Sequence, residues 1–218
     1  MRYWYSMCGS DEKRHTGNFA KWLSDFIKAM EGKGNNSVPC GHCVACCTSS
    51  NFVHIRPSDI DTLKHIPEEI LFPAPKLPKG HFVLGYDEMG HCPMFKEGKC
   101  SIYEQRPTTC RQYDCRVYAA TGISVENEKS DIAKQVNQWK FDMSSDIDFK
   151  KYTEVKKASR FLLNYKDRFP TKCRLHTNSQ LAVFAIKIHS LFSELELPIQ
   201  ESGHKAIINR IISTYCES

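Results

Sequence analysis

Eight of the eleven cysteines in this 218-residue chain fall between Cys40 and Cys115, and no other feature limits the possible folds as much. The run opens as Cys40-x-x-Cys43-x-x-Cys46-Cys47 and continues through Cys92-Pro93, Cys100, Cys110 and Cys115. A thiolate is a soft, anionic ligand for zinc or iron, and a C-x-x-C pair turns two sulfurs toward one ion from a single tight turn. Thiols at this density predict a small domain organised around metal.

The opening spacing is the one by which bacterial-type ferredoxins supply three ligands to a 4Fe-4S cluster, the fourth coming from a distant cysteine that proline often follows. Cys92-Pro93 has that form. The later cysteines are separated by seven, nine and four residues, without the second C-x-x-C knuckle of a four-cysteine zinc ribbon. That asymmetry favours an iron–sulfur cluster over zinc. Adjacent side chains diverge, so Cys46 and Cys47 do not serve one ion in the same way. Either they divide between two neighbouring centres of four thiolates each, or one centre exists and several thiols are spectators or a redox pair. His42 and His91 lie beside the cysteines and read as outer-shell donors or surface residues, since eight thiols already suffice. Arg106, Arg111 and Arg116 flank Cys110 and Cys115, where cations stabilise thiolates; Tyr103 reads as core packing. Cys8, Cys173 and Cys216 stand apart and read as small buried apolar residues.

Charge argues against nucleic acid. The formal net charge is +5 with every thiol neutral; eight thiolates around two divalent centres lower it by four, to +1. No stretch interleaves cations with aromatics as a phosphate-tracking groove does. The hydrophobic fraction of 41% and charged fraction of 25% are those of a folded protein. Residues 1–8 contain no apolar run of signal-peptide length, and no window approaches the roughly 20 apolar residues of a membrane span. The expected compartment is the cytoplasm, where clustered cysteines bind metal more readily than they pair.

The expected fold class is α+β and mostly helical: an N-terminal amphipathic helix over 1–37, a cysteine-cluster domain over 38–120 with short hairpins, and a helical region over 121–218. Between Thr16 and Met30, apolar residues from Phe19 to Met30 recur every three or four positions, with Thr16 or Asn18 as cap, giving a helix that packs on the cysteine domain. Asn51–Ile55 reads as a strand, and Ser58 as the cap of a following helix. Prolines 73, 75 and 78 make Phe72–Gly80 a loop. A hairpin is expected with arms His81–Tyr86 and His91–Phe95, then a turn at Lys96–Lys99 and a short helix started by Arg106-Pro107 that carries Cys110. Four later helices follow from the stripes Ile132/Val136/Trp139, Tyr152/Val155/Leu162/Tyr165, Leu181/Phe184/Ile188/Leu191/Leu195 and Ile207/Ile208/Ile211/Ile212/Tyr215.

On these residues the sequence resembles the YkgJ-type cysteine-cluster family, the CxxCxxCC group described as zinc- or iron-chelating. The matching pieces are Cys40-x-x-Cys43-x-x-Cys46-Cys47, Ser58-Asp59-Ile60, Cys92-Pro93-Met94-Phe95, Cys100-Ser-Ile-Tyr103, Arg106-Pro107-Thr-Thr-Cys110-Arg111 and Tyr113-Asp114-Cys115, spanning about Pro39 to Arg116. Members commonly carry glycine where this chain has Val44. The resemblance implies a metal ion or cluster as the bound partner, leaves activity undefined, and names no protein partner. Flagellin lysine methylases have a similar cluster, so a protein-modifying enzyme with the cluster as scaffold is the alternative, although the chain has no S-adenosylmethionine loop, P-loop or nucleophile elbow. A redox-sensing interaction module using the vicinal thiols is a third reading.

Overall fold

The computed structural model describes residues 13–34, 38, 40, 42–126, 130–193 and 201–215. In chain order the elements are β1 (Arg14–Asn18), α1 (Phe19–Met30), a 3-10 turn (Ala45–Thr48), β2 (Val53–Ile55), α2 (Ile60–Leu63), β3 (Leu71–Pro73), β4 (Phe82–Leu84), β5 (Phe95–Lys96), β6 (Lys99–Cys100), α3 (Thr108–Gln112), α4 (Arg116–Thr121), α5 (Ser130–Gln138), β7 (Trp139–Asp142), α6 (Asp146–Tyr165), α7 (Asn178–Ile188) and α8 (Glu201–Tyr215). They form two compact units that interleave along the chain. One draws on residues 28–115 and 126–138, the other on 14–27, 116–125 and 139–218. The fold is α+β and mostly helical, as the sequence predicts.

The first unit holds all eight clustered cysteines. Its sheet has the order β2-β4-β3, with β4 antiparallel to both neighbours: Val53 pairs with Leu84, and Leu71 pairs with the same Leu84. Strand alternation buries Val53 and Ile55 while His54 stays half-buried. Around this sheet Val53, Ile55, Ile66, Leu84, Met94 and Ile102 form the apolar core, with Cys92 and Cys100 packed against it. The expected hairpin of His81–Tyr86 with His91–Phe95 is not formed. Both edges of β4 are already taken by β2 and β3, so the return arm has no strand to pair with. Instead Asp87 folds the connection, its carboxylate accepting the N–H groups of Met89 (2.9 Å) and His91 (2.8 Å). The return segment makes its own small hairpin, β5 with β6, closed at Glu97-Gly98. Both residues have positive φ, 51° and 76°, as a two-residue turn matched to the strand twist requires.

Ser58 does not cap α2. Asp59 occupies the N-cap position, and its carboxylate reaches elsewhere. It accepts the Arg56 N–H (2.9 Å) and both the N–H (3.0 Å) and hydroxyl (2.5 Å) of Thr108, tying the start of α2 to the start of α3.

In the second unit β1 lies parallel to β7, with Arg14 opposite Trp139, so Thr16 and Asn18 belong to a strand and α1 begins only at Phe19. Trp139 likewise leaves the helical stripe of Ile132 and Val136 for β7. The apolar face of α1 packs inside this unit. Phe19 meets Phe141 and Tyr152 with ring centroids 5.0 and 5.2 Å apart, and Trp22 meets Phe141 at 4.8 Å. Its first turn is capped from a distance, by Asp148 of α6. One oxygen of Asp148 accepts the Ala20 N–H (2.9 Å), and the other accepts the N–H (3.0 Å) and hydroxyl (2.7 Å) of Ser145 in the capping box of α6. Helices α6 and α7 bury Val155, Ala158, Phe161 and Leu162 together with Leu181, Ala185, Ile186 and Ile188, following the expected stripes. Leu195 lies outside the described residues, as do Cys8 and Cys216. Cys173 is half-buried and disulfide-bonded, where an isolated apolar residue is expected. No helix among the described residues is long and apolar enough to cross a membrane.

The shared cap gives a test. The hydrogen bond from the Ala20 N–H, followed by those from Ser145, holds the Asp148 carboxyl below its ordinary range. A carboxyl so depressed stabilises the fold above its unfolded value and loses that contribution as pH falls through its folded value. Asp148→Ala is expected to lower the melting temperature at pH 7 by more than Ser145→Ala does. The difference between parent and Asp148→Ala is expected to shrink below about pH 4, as acid-titrated thermal melts would read.

Candidate metal centre

The first ligand turn is held by main-chain bonds. The Cys43 N–H donates to the Cys40 carbonyl (3.0 Å), and the Cys47 N–H donates to the Val44 carbonyl (2.8 Å) to close the 3-10 turn. Val44 has φ −118°, a conformation open to any side chain, so valine in place of the family's usual glycine costs no backbone strain here. Below the turn, the buried Ser49 hydroxyl donates to the Ala45 carbonyl at 2.6 Å, and the Asn51 amide donates to the Cys46 carbonyl at 3.1 Å.

The second set of cysteines is brought to this turn by folding. The Cys92 N–H donates to the Cys47 carbonyl at 2.8 Å, which docks the return segment directly on the second of the vicinal pair. The Phe95 N–H donates to the Cys92 carbonyl (2.8 Å), and Phe95 pairs with Cys100 across β5 and β6, so Cys92 and Cys100 share one hairpin. Helix α3 delivers Cys110 and is fixed to β2 by the Thr109 hydroxyl on the His54 carbonyl (2.7 Å). Cys46 and Cys110 are exposed as residues, Cys115 is buried, and the other five are half-buried; all eight are free thiols.

Their electrostatics sort them into two overlapping neighbourhoods, with Cys43 acting on both Cys46 and Cys47 and Cys47 acting on Cys46. Desolvation first, then the charges of Cys115, Cys43, Cys40 and Cys47, push the Cys46 thiol well above its ordinary value. Cys47 is pushed up to about 12 by desolvation and then by Cys92, Cys100 and Cys43. Cys110 also rises to about 12, by desolvation and then by Cys92, Cys47 and Cys100, with Arg106 opposing. Cys92 rises through desolvation, while N–H groups of Met94 and Phe95 directed at its sulfur pull the other way, as the amides of a metal knuckle do. Cys115 is the strongest neighbouring influence on Cys46, and Cys92 is the strongest on Cys47.

Without a cation Cys46, Cys47, Cys92 and Cys110 stay protonated near neutral pH, because desolvation and then the neighbouring thiols disfavour their thiolates. A metal removes that repulsion and releases the protons. The donor set, soft and anionic in both neighbourhoods, fits zinc or iron. Among the described residues, no three Cys, His, Asp or Glu side chains form a ready-made cage, so the thiols are gathered but not closed onto a point.

The flanking residues take several roles. His42 is exposed, and His91 packs edge-on against Phe95 at 5.4 Å. Tyr103 is not core packing: it is 50% exposed, and the Arg106 guanidinium lies 3.9 Å over its ring. Arg111 donates through Nε to the Arg106 carbonyl at 2.8 Å, bracing the entry to α3. Arg116 is buried in the second unit, 5.9 Å over the Trp22 ring. Sequence reasoning misses His54 and His81, whose rings stack with nitrogens 2.9 Å apart. Being 27 residues apart, they carry no local signal; the pairing of β2 with β4 brings them together.

Gly90 is the tightest point in the frame. It has φ 79°, its carbonyl accepts the Ser50 N–H at 2.9 Å, and a Cβ placed there would strike the Ser50 hydroxyl. Gly90→Ala is expected to cost about 1–3 kcal/mol in chemical denaturation, through backbone strain and the clash. Asp59→Ala, which removes the carboxylate joining β2's exit to α3, is expected to cost a similar amount, about 1–3 kcal/mol. Burial opposes the Asp59 charge, but the bonds from Thr108 and Arg56 outweigh it and hold the carboxyl below its ordinary value. Its contribution is therefore present at neutral pH and fades below about pH 4, which denaturation at pH 3 and pH 7 would show.

A family model described as "CxxCxxCC: Putative zinc- or iron-chelating domain" matches residues 39–136. No curated protein and no solved structure matches the chain. The matched span takes in all eight clustered cysteines and runs through α5 as far as Val136. Residues 39–136 of this chain are thus similar to the family that this description names.

Proposed function

We propose that the eight clustered cysteines hold two thiolate-ligated centres, one on Cys40, Cys43, Cys46 and Cys115 and the other on Cys47, Cys92, Cys100 and Cys110. The observation that carries this reading is the 2.8 Å bond from the Cys92 N–H to the Cys47 carbonyl, which commits Cys47 to the hairpin of Cys92 and Cys100. Cys46, pointing away from its neighbour, is left for the opening turn. The strongest neighbouring charges favour the same division, Cys115 on Cys46 and Cys92 on both Cys47 and Cys110, although Cys43 acts on both Cys46 and Cys47.

Iron, as iron–sulfur clusters, is preferred to zinc. The support is the C-x-x-C-x-x-C spacing together with the missing second knuckle, and metal–thiolate bonds to either element would close the loosely gathered sulfurs and add binding free energy to folding. Eight free thiols in one unit suit a reducing compartment, and on them we place the domain in the cytoplasm, against the disulfide that Cys173 forms in the other unit. The function is then metal or cluster binding, with the centres at minimum holding the domain together.

Anaerobic purification with metal and sulfide analysis tests the assignment. Iron, sulfide and a broad visible absorption are expected; a colourless protein containing zinc would replace the iron reading, and a metal-free protein would end both. Cys46→Ser and Cys92→Ser are each expected to remove about half of the bound metal, and the double variant nearly all of it. Loss of all metal from either single variant would mean one centre rather than two.

A further inference from the structure

Helix α5 lies against the turn that carries the vicinal cysteines. The attachment is specific: Asp131, in the first turn of α5, accepts a 2.8 Å hydrogen bond from the hydroxyl of Thr48, the residue after Cys47. Lys134 holds the other oxygen of the same carboxylate at 3.0 Å. Burial opposes the Asp131 charge, but these bonds from Lys134 and Thr48 more than offset it. The helix is thereby fixed in rotation over Ala45–Thr48.

Gln135 follows Asp131 by four residues, one turn further along the same face. It is only 4% exposed, and its amide nitrogen, fully buried, has no hydrogen-bond acceptor among the described residues. An orphaned buried amide costs more than most single hydrogen bonds return. A polar group kept in such a place on a helix face that covers a ligand turn has an obvious partner in a metal-bound thiolate. A metal-bound thiolate is an anionic acceptor, and hydrogen bonds to such groups are the stronger kind.

We infer that Gln135 is a positioning residue for the metal centre, its side-chain N–H donating to a thiolate sulfur carried by the Cys43–Cys47 turn once the metal is in place. This rests on the metal-binding reading proposed above. A donor to a coordinating sulfur withdraws electron density from it, fixes its orientation and spreads its charge, as outer-shell partners do for histidine and carboxylate ligands. It would also couple α5 to loading, since the helix gains a bond that it lacks without metal.

The test uses the full chain with cobalt(II) as an optical probe, comparing parent and Gln135→Met, which keeps the volume but removes the donor. In the metal-free state the variant is expected to melt at the same or a higher temperature, because an unpartnered buried amide has been replaced by an apolar group. Its cobalt affinity, by chelator competition, is expected to fall about tenfold, and its sulfur-to-cobalt charge-transfer band to move to lower energy. A merely structural role predicts a different pattern: metal-free stability and affinity fall together with the band unmoved, and that result would overturn the inference. Unchanged affinity with an unchanged band would overturn it too. Should the variant fail to fold, the parent loaded with NMR-active cadmium decides: a scalar coupling from the metal to the Gln135 side-chain amide proton is expected, and its absence sinks the proposal. A parent that takes up no cobalt or cadmium would instead bring down the metal-binding reading itself, an outcome distinct from the others.

Discussion

The mutual repulsion of thiolates is the constraint on which the cysteine unit depends. Eight sulfurs lie within one small unit, and desolvation combined with neighbouring charge lifts Cys46, Cys47, Cys92 and Cys110 above the ordinary thiol range. The apolar core beneath them is small, with six buried residues around three short strands. Such a core has little capacity to hold like charges together. In the reading proposed above a metal–thiolate centre would reinforce it, because its binding free energy appears as folding free energy only when the ligands converge.

The chain positions its turns and helices with carboxylates. Asp87 folds the connection before Cys92, Asp59 joins the starts of α2 and α3, Asp131 pins α5 to the vicinal-cysteine turn, and in the second unit Asp148 caps both α1 and α6. In each case an ionised oxygen satisfies N–H or O–H groups that a short element leaves without partners. Short elements need this help. Strands of two or three residues and helices of four or five have too few internal bonds to hold their own direction, so side-chain bonds set it for them.

Much of this was legible in the residues themselves. Strand β2, the turn at Glu97-Gly98, the helix carrying Cys110 and the buried stripes of α6 and α7 follow from local periodicity, glycine and proline placement. The misreadings share one physical cause. Thr16 and Asn18 look like helix caps until β7 offers them a strand partner; Trp139 continues a helical stripe until the same pairing takes it; the arms of the expected hairpin alternate correctly, but both edges of β4 are occupied. Long-range pairing overrode local propensity in all three, as it does wherever a strand edge is available. Tyr103 was misread for a related reason: an aromatic beside a ligand looks like core until an arginine covers it.

The run from Cys40 to Cys115 determined by itself that the chain gathers thiols for metal, because ligand chemistry depends on residue type and the opening turn is only eight residues long. It left open how Cys46 and Cys47 are divided, since spacing along the chain does not say which distant sulfur returns to which neighbour. Tertiary structure supplied what spacing could not: a main-chain bond from Cys92 reaches Cys47, while Cys115 is the strongest neighbouring influence on the Cys46 thiol. It alone set Gln135 over the same turn, 88 positions beyond Cys47, through a contact between Thr48 and Asp131 that no local pattern encodes. Backbone hydrogen bonds and buried area act through space, and only the folded chain specifies which residues share it.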